Sequence, residues 1–275
     1  MNFTKMHGAG NDFVILETAS REPDMARLSA LAKKLCARRT SIGADGLMVV
    51  APARGDGDYR MIFFNADGSE GEMCGNGARC ICRYGYEHGL AGETQRVETI
   101  SGLVVGQRID KTRYRVRLNS PSLIDLNRRC TVEGQAVAAP YLELGVPGLP
   151  HAVVACPELE SADPEALRQW GKALRWSDSF PAGANVNLYA LAGPDTVRLR
   201  TYERGVEDFT LACGTGSAST AAVLYLLGLV SAGPVHIEND GGRIDVELTP
   251  TADGVTDLYI TGPTCVVCTG ELTEE

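Results

Sequence analysis

Apolar and polar positions follow one another in a pattern that predicts alternating strands and helices in the first half of the chain. Met25, Leu28, Leu31, Ala32 and Leu35 recur at three- and four-residue steps and predict a helix over 23–38. A second helix is predicted from Cys74 to about Tyr86, ending before Gly89. Short apolar or alternating runs predict strands at Lys5–His7, Phe13–Leu16, Gly46–Ala51, Tyr59–Phe64, Thr94–Thr99, Leu103–Ile109 and Arg113–Leu118.

The second half of the chain repeats this plan. Asp163 and Pro164 begin a helix that runs through Leu174, with proline at the first helical position. The segment after Cys213 is apolar on nearly all sides from Ala218 to Leu229. Because such a helix must be buried, we expect it to form the axis of its domain, surrounded by strands.

Two cysteines in matching places mark the repeat, in Cys74-Gly75-Asn76-Gly77 and Cys213-Gly214-Thr215-Gly216. We predict an α+β fold of two pseudo-symmetric domains, each a β-sheet or barrel wrapped around a central helix, with the active site in the cleft between them. The first domain is predicted over 1–120 plus 263–275 and the second over 121–262, with a hinge at 121–127. The alternative is that the motif arose twice by chance in a chain with 31 glycines and 9 cysteines.

Composition and charge exclude several functional classes. The chain has 275 residues, 44% of them hydrophobic and 22% charged, which is typical of a globular protein with real cores. Its net charge of −9 and scattered basic residues argue against nucleic-acid and anionic-membrane partners. The N-terminal residues lack an apolar signal region, and the longest apolar run, 221–230, is too short to span a bilayer. We expect a cytoplasmic protein.

The cysteine pattern predicts reduced thiols and no metal site. Nine is an odd number, and a chain of this length does not need disulfides. Cys80 and Cys82 have the wrong spacing for a zinc knuckle, and the CxxC at 265–268 has no second ligand pair nearby. Five cysteines outside the two motifs and the CxxC are expected to be buried side chains that pack in the apolar core: Cys36, Cys80, Cys82, Cys130 and Cys156.

The two cysteine motifs have the local features of activated thiols. A thiol at the start of a helix is more acidic because the unpaired N–H groups and the helix dipole stabilise the thiolate. Glycines beside it let a small anionic ligand approach those N–H groups. Two such thiols in one chain suggest two bases.

These motifs, with their flanking residues, resemble those of the diaminopimelate epimerase family. The similarity includes Phe64-Asn65-Ala66-Asp67-Gly68-Ser69 before the first cysteine motif and Tyr202-Glu203-Arg204-Gly205-Val206 before the second. The segment 5–13, Lys5-Met6-His7-Gly8-Ala9-Gly10-Asn11-Asp12-Phe13, resembles the family's N-terminal motif. The resemblance covers nearly the whole chain in the same order. It implies a cofactor-independent racemase that interconverts LL- and meso-diaminopimelate in the biosynthesis of lysine and peptidoglycan precursors.

The residues themselves suit that chemistry. Inverting an amino-acid Cα removes a weakly acidic proton from one face and delivers another to the opposite face, which one thiolate and one thiol can do. Charge collecting on the α-carboxylate would be stabilised by N–H groups at Gly75, Asn76, Gly214 and Thr215. No cofactor is predicted. A pyridoxal enzyme needs a Schiff-base lysine with phosphate and pyridinium partners, and the five lysines show no such setting.

The resemblance implies roles for further residues. It places His151 and Glu203, as catalytic residues with the two cysteines, near the reacting carbon and its amino group. It places Asn11, Asn65, Asn185 and Arg204 on the distal end of a small-molecule diamino-dicarboxylate substrate, and Glu203 among the substrate-binding residues. A structural reading stays open for two of them: His151 as a satisfied core histidine, and Arg204 as an ion-pair partner of Glu203.

Three positions depart from the pattern of the family. Gly46 stands where many members have Gln, Leu149 where many have Asn, and Phe209 where a carboxylate is common. They bear on distal-end recognition, so a related racemase acting on another amino acid remains an alternative. A thiol-disulfide redox protein is a remote alternative, because it explains the cysteines but not His151 or Arg204. The sequence leaves a homodimer open.

Overall fold

The chain forms two compact units in the structure, a computed structural model that describes residues 1–71, 74–132 and 134–273. The first unit is Met1–Val116 with Gly262–Glu275, and the second is Arg117–Thr261. Residues 274 and 275, which the sequence assigns to the first domain, lie outside the described residues. Within the described part of the chain, no helix is both long and apolar enough to cross a membrane.

Among its described residues, the first unit contains two helices between its strands. The helices are α1 (Met25–Cys36) and α2 (Gly75–Glu87). The strands before the second unit are β1 (Asn2–Gly8), β2 (Asn11–Glu17), β3 (Gly46–Ala51), β4 (Tyr59–Asn65), β5 (Thr94–Thr99), β6 (Gly102–Arg108) and β7 (Arg113–Arg117).

The part of the second unit that the structure describes also has two helices, α3 (Pro164–Arg175) and α4 (Gly214–Leu226). Its strands are β8 (Pro121–Asp125), β9 (Arg129–Val132), β10 (Gln135–Ala138), β11 (Tyr141–Leu144), β12 (Leu149–Ala155), β13 (Asn185–Gly193), β14 (Thr196–Tyr202), β15 (Phe209–Thr210), β16 (Val235–Asn239), β17 (Gly242–Thr251) and β18 (Gly254–Pro263). The last strand of the chain, β19 (Cys265–Glu271), returns to the first unit and pairs with β1.

The two units repeat one order of strand pairings. In the first, β1–β2 is antiparallel, β2–β3 parallel, β3–β4 antiparallel, β4–β5 parallel and β5–β6 antiparallel. The pairs β11–β12, β12–β13, β13–β14, β14–β16 and β16–β17 follow the same sequence in the second. Each parallel pair needs a crossover, and each crossover contains one helix. The predicted α+β fold of two similar domains is confirmed.

Each unit has one helix that is buried nearly throughout. All residues of α2 from Gly75 to Gly85 are buried, and so are most of the residues of α4 up to Leu224. The other helix packs on the opposite face of its sheet: Leu35 of α1 shares a core cluster with Val14 and Leu47. Because side chains alternate between the two faces along each strand, one set contacts the buried helix of the unit and the other set contacts its second helix.

The second glycine of each cysteine motif permits this close packing. A Cβ built on Gly77 would lie 1.9 Å from Cε of Met48 in β3, and one on Gly216 would lie 2.4 Å from Oδ1 of Asn187 in β13. These glycines let the first turn of α2 and of α4 approach the sheet. The sequence predicted only ligand approach for the glycines of both motifs, so their packing against the sheet is a further role.

The structure corrects two sequence-based boundaries. Residues 121–125 form β8, which pairs with β11, so the predicted hinge at 121–127 is wrong for most of its length. Helix α1 begins at Met25, not at Pro23, because Asp24 is its N-cap and accepts a hydrogen bond from the backbone N–H of Arg27. It ends at Cys36 instead of Arg38.

Candidate active site

Strand register brings two predicted site residues of the first unit, Asn11 and Asn65, to the same end of neighbouring strands as Gly46. Asn11 begins β2, and Gly46 begins β3 opposite Phe13. Gly46 is paired in turn with Asn65, the last residue of β4. The chain then leaves the sheet and reaches Cys74, the N-cap of α2.

The corresponding strand ends of the second unit hold the predicted residues of that unit. His151 in β12 is paired with Asn185, the first residue of β13. Glu203 and Arg204 follow the end of β14, and Cys213 is the N-cap of α4. The duplication therefore places the two cysteines, and the residues around them, in equivalent positions of their units.

Cys74 is half-buried and donates a hydrogen bond. Its Sγ lies 3.3 Å from Oδ1 of Asn11. The amide of Asn11 is oriented by Asp45, whose Oδ2 accepts from Nδ2 of Asn11 at 2.6 Å. Because Oδ1 can only accept, the contact with Cys74 requires the protonated thiol.

Asp12, the residue after Asn11, forms ion pairs with two basic side chains. Its carboxylate pairs with Lys5 at 2.6 Å and with Arg38 at 2.7 Å. Burial raises the pKa of Asp12, but hydrogen bonds and charge from Arg38 and Lys5 outweigh it, and the pKa lies below its ordinary value. Arg38 also pairs with Asp45 at 2.8 Å. Asp45, which orients Asn11, therefore belongs to the same ion-pair network as Asp12.

The first turn of α2 is fixed by a buried arginine that sequence analysis did not single out as functional. Arg79 is fully buried, and its Nη2 donates to Oδ1 of Asn76 at 2.9 Å. The side chain of Asn76 is thus engaged inside the unit, and its backbone N–H belongs to the first turn. Asn65, at the end of β4, donates from Nδ2 to the hydroxyl of Ser69 at 2.9 Å.

Cys213 has the opposite hydrogen-bonding role to Cys74. It is 8% exposed, and its Sγ accepts a hydrogen bond from the backbone N–H of Gly216 at 3.3 Å. The hydroxyl of Thr215 lies 3.4 Å from the same sulfur. Either of these two groups can be the donor, whereas the backbone N–H of Gly216 can only donate, and such a donor at a helix N-terminus stabilises a thiolate.

His151 is fully buried, and burial decides its charge. Its Nδ1 lies 3.2 Å from Nδ2 of Asn187. Burial is the main reason that the pKa of His151 falls to about 3, and the positive charge of Arg204 lowers it further. The imidazole is therefore neutral at physiological pH, and no residue in the described part of the chain bonds its Nε2.

Asn185, Glu203 and Arg204 form one loop arrangement. Nδ2 of Asn185 donates to the carbonyl of Pro150 at 3.2 Å, and its Oδ1 accepts from the backbone N–H of Arg204 at 2.9 Å. The guanidinium of Arg204 is exposed and donates to the carbonyl of Ala182 at 3.3 Å. Glu203 accepts a hydrogen bond from the hydroxyl of Thr210.

The three departures from the family pattern have defined places in the structure. A Cβ on Gly46 would lie 2.4 Å from the ring of Phe63, so that ring excludes a larger side chain there. Phe209 packs edge-on against Tyr202 with ring centroids 5.7 Å apart. Leu149 begins β12 and is paired with Leu144.

Asp45 and Asn187 are partners of site residues that were not predicted from the sequence. Asn187 lies two residues after Asn185 in the same strand, and side chains at that spacing share a face; this was a usable signal. Asp45 carries no such local signal, since its contact with Asn11 spans 34 positions. Among the described residues, no group of three His, Cys, Asp or Glu side chains could hold a metal ion.

A sequence profile described as diaminopimelate epimerase matches residues 3–124 and 146–266. The chain is 38% identical to the diaminopimelate epimerase of Aquifex aeolicus (strain VF5), over all of this chain and 99% of that protein. It is 37% identical to the diaminopimelate epimerase of Archaeoglobus fulgidus, over 94% of this chain and 92% of that protein. The chain belongs to the diaminopimelate epimerase family.

Solved structures share the fold of this family member at low sequence identity. A probable proline racemase from Agrobacterium radiobacter K84 superposes with a TM-score of 0.73 at 16% identity, covering 100% of this chain and 93% of that one. A predicted epimerase from Pseudomonas aeruginosa gives a TM-score of 0.65 at 15% identity, covering 100% and 99%. Family membership makes the protein an isomerase of the epimerase and racemase type.

Proposed function

We propose that this protein interconverts LL- and meso-2,6-diaminopimelate by proton transfer at Cα between Cys74 and Cys213, without a cofactor. The names of its relatives support the substrate. The observation that carries the mechanism is the opposite hydrogen bonding of the two thiols. Cys74 donates to Asn11, whereas Cys213 accepts from Gly216. One acid and one base are the two groups that inversion requires.

In one direction of the reaction the thiolate of Cys213 removes the Cα proton and becomes a thiol. The electron pair of the broken C–H bond delocalises onto the α-carboxylate. Cys74 then gives its thiol proton to the opposite face of Cα and becomes a thiolate. The reverse reaction exchanges these roles, so each cysteine serves as base for one configuration and as acid for the other.

The first turns of the two buried helices would stabilise the charge that develops on the carboxylate. The backbone N–H groups at the start of an α-helix have no carbonyl partner within it. Those at Gly75 and Asn76 in α2, and at Gly214 and Thr215 in α4, are fixed by the packing of each helix on its sheet. Donors held in advance of reaction stabilise developing charge without a reorganisation cost.

Glu203 and His151 are assigned to the groups on the reacting carbon. The carboxylate of Glu203, held by Thr210, can pair with the α-ammonium group. The pKa of His151, about 3, keeps its imidazole neutral, and a neutral imidazole has one N–H that can donate a hydrogen bond to the substrate.

Asn11, Asn65, Asn185 and Arg204 are assigned to the distal amino-acid group. Arg204 is exposed and can bind a carboxylate with two parallel hydrogen bonds. Asn65 and Asn185 each keep one amide N–H beyond the bonds described above. The product would serve the biosynthesis of lysine and of peptidoglycan precursors.

The proposal is tested by assaying the purified protein on LL-diaminopimelate after removal of bound cofactors. We expect formation of the meso isomer by the wild type, and its loss in Cys74→Ala and Cys213→Ala. Cys265→Ala, an exposed cysteine of β19, is the matched control. If either site variant kept more than about a tenth of the wild-type turnover, a barrier change below about 1.4 kcal/mol, that cysteine would not be an essential base.

A further inference from the structure

We propose that Asn187 is a positioning residue that holds His151 in the neutral tautomer with its proton on Nε2. This inference rests on the proposed function, in which His151 donates a hydrogen bond to the substrate. It assigns a role to a residue that neither cysteine motif contains. Asn187 lies in β13 and is fully buried, as is His151 in the neighbouring strand β12.

The hydrogen bonds of Asn187 fix which end of its amide faces the imidazole. Its Nδ2 lies 3.0 Å from the carbonyl of Ala152, which can only accept. Its Oδ1 accepts from the hydroxyl of Thr201 at 3.0 Å. The contact with the Ala152 carbonyl requires the amide nitrogen to face β12, and the contact with the Thr201 hydroxyl is compatible with the oxygen facing β14.

This orientation determines the tautomer of His151. The second N–H of Nδ2 points to Nδ1 of His151, at 3.2 Å. Because an amide nitrogen is only a donor, Nδ1 must accept and cannot carry the proton. A neutral imidazole has one N–H, so the proton is on Nε2.

The Nε2–H is then a buried donor that needs an acceptor. No atom of the described residues bonds Nε2. A buried polar group without a partner costs free energy that a ligand can recover on binding. A carboxylate or another anionic acceptor on the substrate is the chemical class that fits a neutral N–H donor in a buried setting.

Asn187 also connects His151 to the helix that begins at Cys213. Its Oδ1 lies only 2.4 Å from the position that a Cβ on Gly216 would occupy. The backbone N–H of Gly216 donates to Sγ of Cys213. A single amide thus sets the tautomer of His151 and packs against the turn that holds the cysteine.

The direct test is the tautomer of His151 in the wild-type protein. Histidine-selective ¹⁵N labelling and long-range ¹H–¹⁵N correlation distinguish a protonated ring nitrogen from an unprotonated one. The protein has four histidines, and the spectrum of His151→Gln assigns the signal. We expect His151 to be neutral with its proton on Nε2. A proton on Nδ1 would overturn the inference whether or not the protein epimerises diaminopimelate.

Variants test whether the tautomer matters. Asn187→Asp replaces the donor with an acceptor, so we expect a proton on Nδ1 of His151. On the proposed substrate, kcat should fall at least about tenfold while KM changes less than about threefold, because the defect lies at the reacting end. Thr201→Val is the matched control: it removes the hydrogen bond to Oδ1 and leaves the donor to His151, so the tautomer should be unchanged.

The outcomes separate this inference from the proposed function. A moved proton with undiminished kcat in Asn187→Asp would show that the tautomer is not used, which overturns the positioning role. A wild-type protein with the expected tautomer and no activity on diaminopimelate would contradict the proposed function only. If Asn187→Asp does not fold, Asn187→Leu removes the donor without adding a charge, and an unchanged single tautomer there would also overturn the inference.

Discussion

Sγ of Cys74 lies 3.3 Å from Oδ1 of Asn11 and donates a hydrogen bond to it. The equivalent cysteine of the second unit, Cys213, accepts one from the N–H of Gly216. The helix N-terminus favours a thiolate at both positions, but at Cys74 the carbonyl oxygen of Asn11, which can only accept, favours the thiol. Two cysteines in duplicated positions are therefore unequal before substrate binds.

This asymmetry predicts different pH profiles for alkylation of the two cysteines. Because the thiolate is the nucleophile, the midpoint of the rate-against-pH curve reports protonation, whereas exposure changes only the plateau. We expect the midpoint for Cys213 to lie at lower pH than that for Cys74, as measured by mass spectrometry of iodoacetamide-treated protein. Asn11→Ala should lower the midpoint for Cys74 and leave that for Cys213 in place. Equal midpoints in the wild type would refute the asymmetry.

Arg204 is expected to select substrates with a distal carboxylate. Leaving a polar set without its partner is costly, so LL-diaminopimelate should exceed lysine by at least about a thousandfold in kcat/KM, about 4 kcal/mol. Arg204→Ala should remove most of that preference. Arg200→Ala is a control, since Arg200 in β14 pairs with Asp240 at 3.2 Å. Comparable rates of the wild type on lysine would exclude diaminopimelate as the preferred substrate and leave a racemase of another amino acid.

His151 makes folding stability depend on pH. Its folded-state pKa of about 3 lies below the ordinary value, so the unfolded chain binds a proton that the folded chain does not. Stability should be complete above about pH 6.5 and decline as the pH falls toward about 3. Between about pH 8 and about pH 5 the loss from this group is about 2 kcal/mol. Urea titrations at both pH values should show that His151→Gln, whose amide oxygen can still accept from Asn187, loses less unfolding free energy than the wild type by that amount. An identical pH dependence of the two proteins would contradict the lowered pKa of His151.

The second glycine of each cysteine motif should resist substitution to different degrees. A Cβ on Gly216 would meet Asn187 and Thr201, which are buried and hydrogen-bonded, so we expect Gly216→Ala to cost about 1–3 kcal/mol of unfolding free energy. Gly77→Ala should cost less, because the atom in its way is the flexible end of Met48. Gly92→Ala, with nothing within 4 Å, is the control. Chemical denaturation measures all three, and a neutral Gly216→Ala would argue against close packing there.

The order of elements could be predicted from the sequence because hydrophobic periodicity is a local signal. The start of β3 at Gly46 and the burial of α4 follow directly from it. The hinge prediction failed at 121–125 because proline at the first position of a strand resembles a linker in sequence.

The hydrogen bonds that distinguish the two cysteines could not be predicted in this way. Asn11 lies 63 positions from Cys74, and Asn187 lies 36 from His151. Register between strands decides such contacts, and a shift of one residue would turn each side chain to the other face. The sequence therefore indicated candidates for the chemistry but not which of them donates and which accepts.

The two-base mechanism is tested most directly by the position of deuterium after partial conversion of LL-diaminopimelate in deuterium oxide. If one cysteine removes the proton and the other delivers a different one, the first meso product carries deuterium at the inverted Cα while the remaining LL substrate carries none. We predict that result for the wild type at low conversion, read by mass spectrometry of the separated isomers. Product that retains the original proton, or substrate that gains deuterium as fast as product forms, would show that a single base serves both faces and would contradict the mechanism.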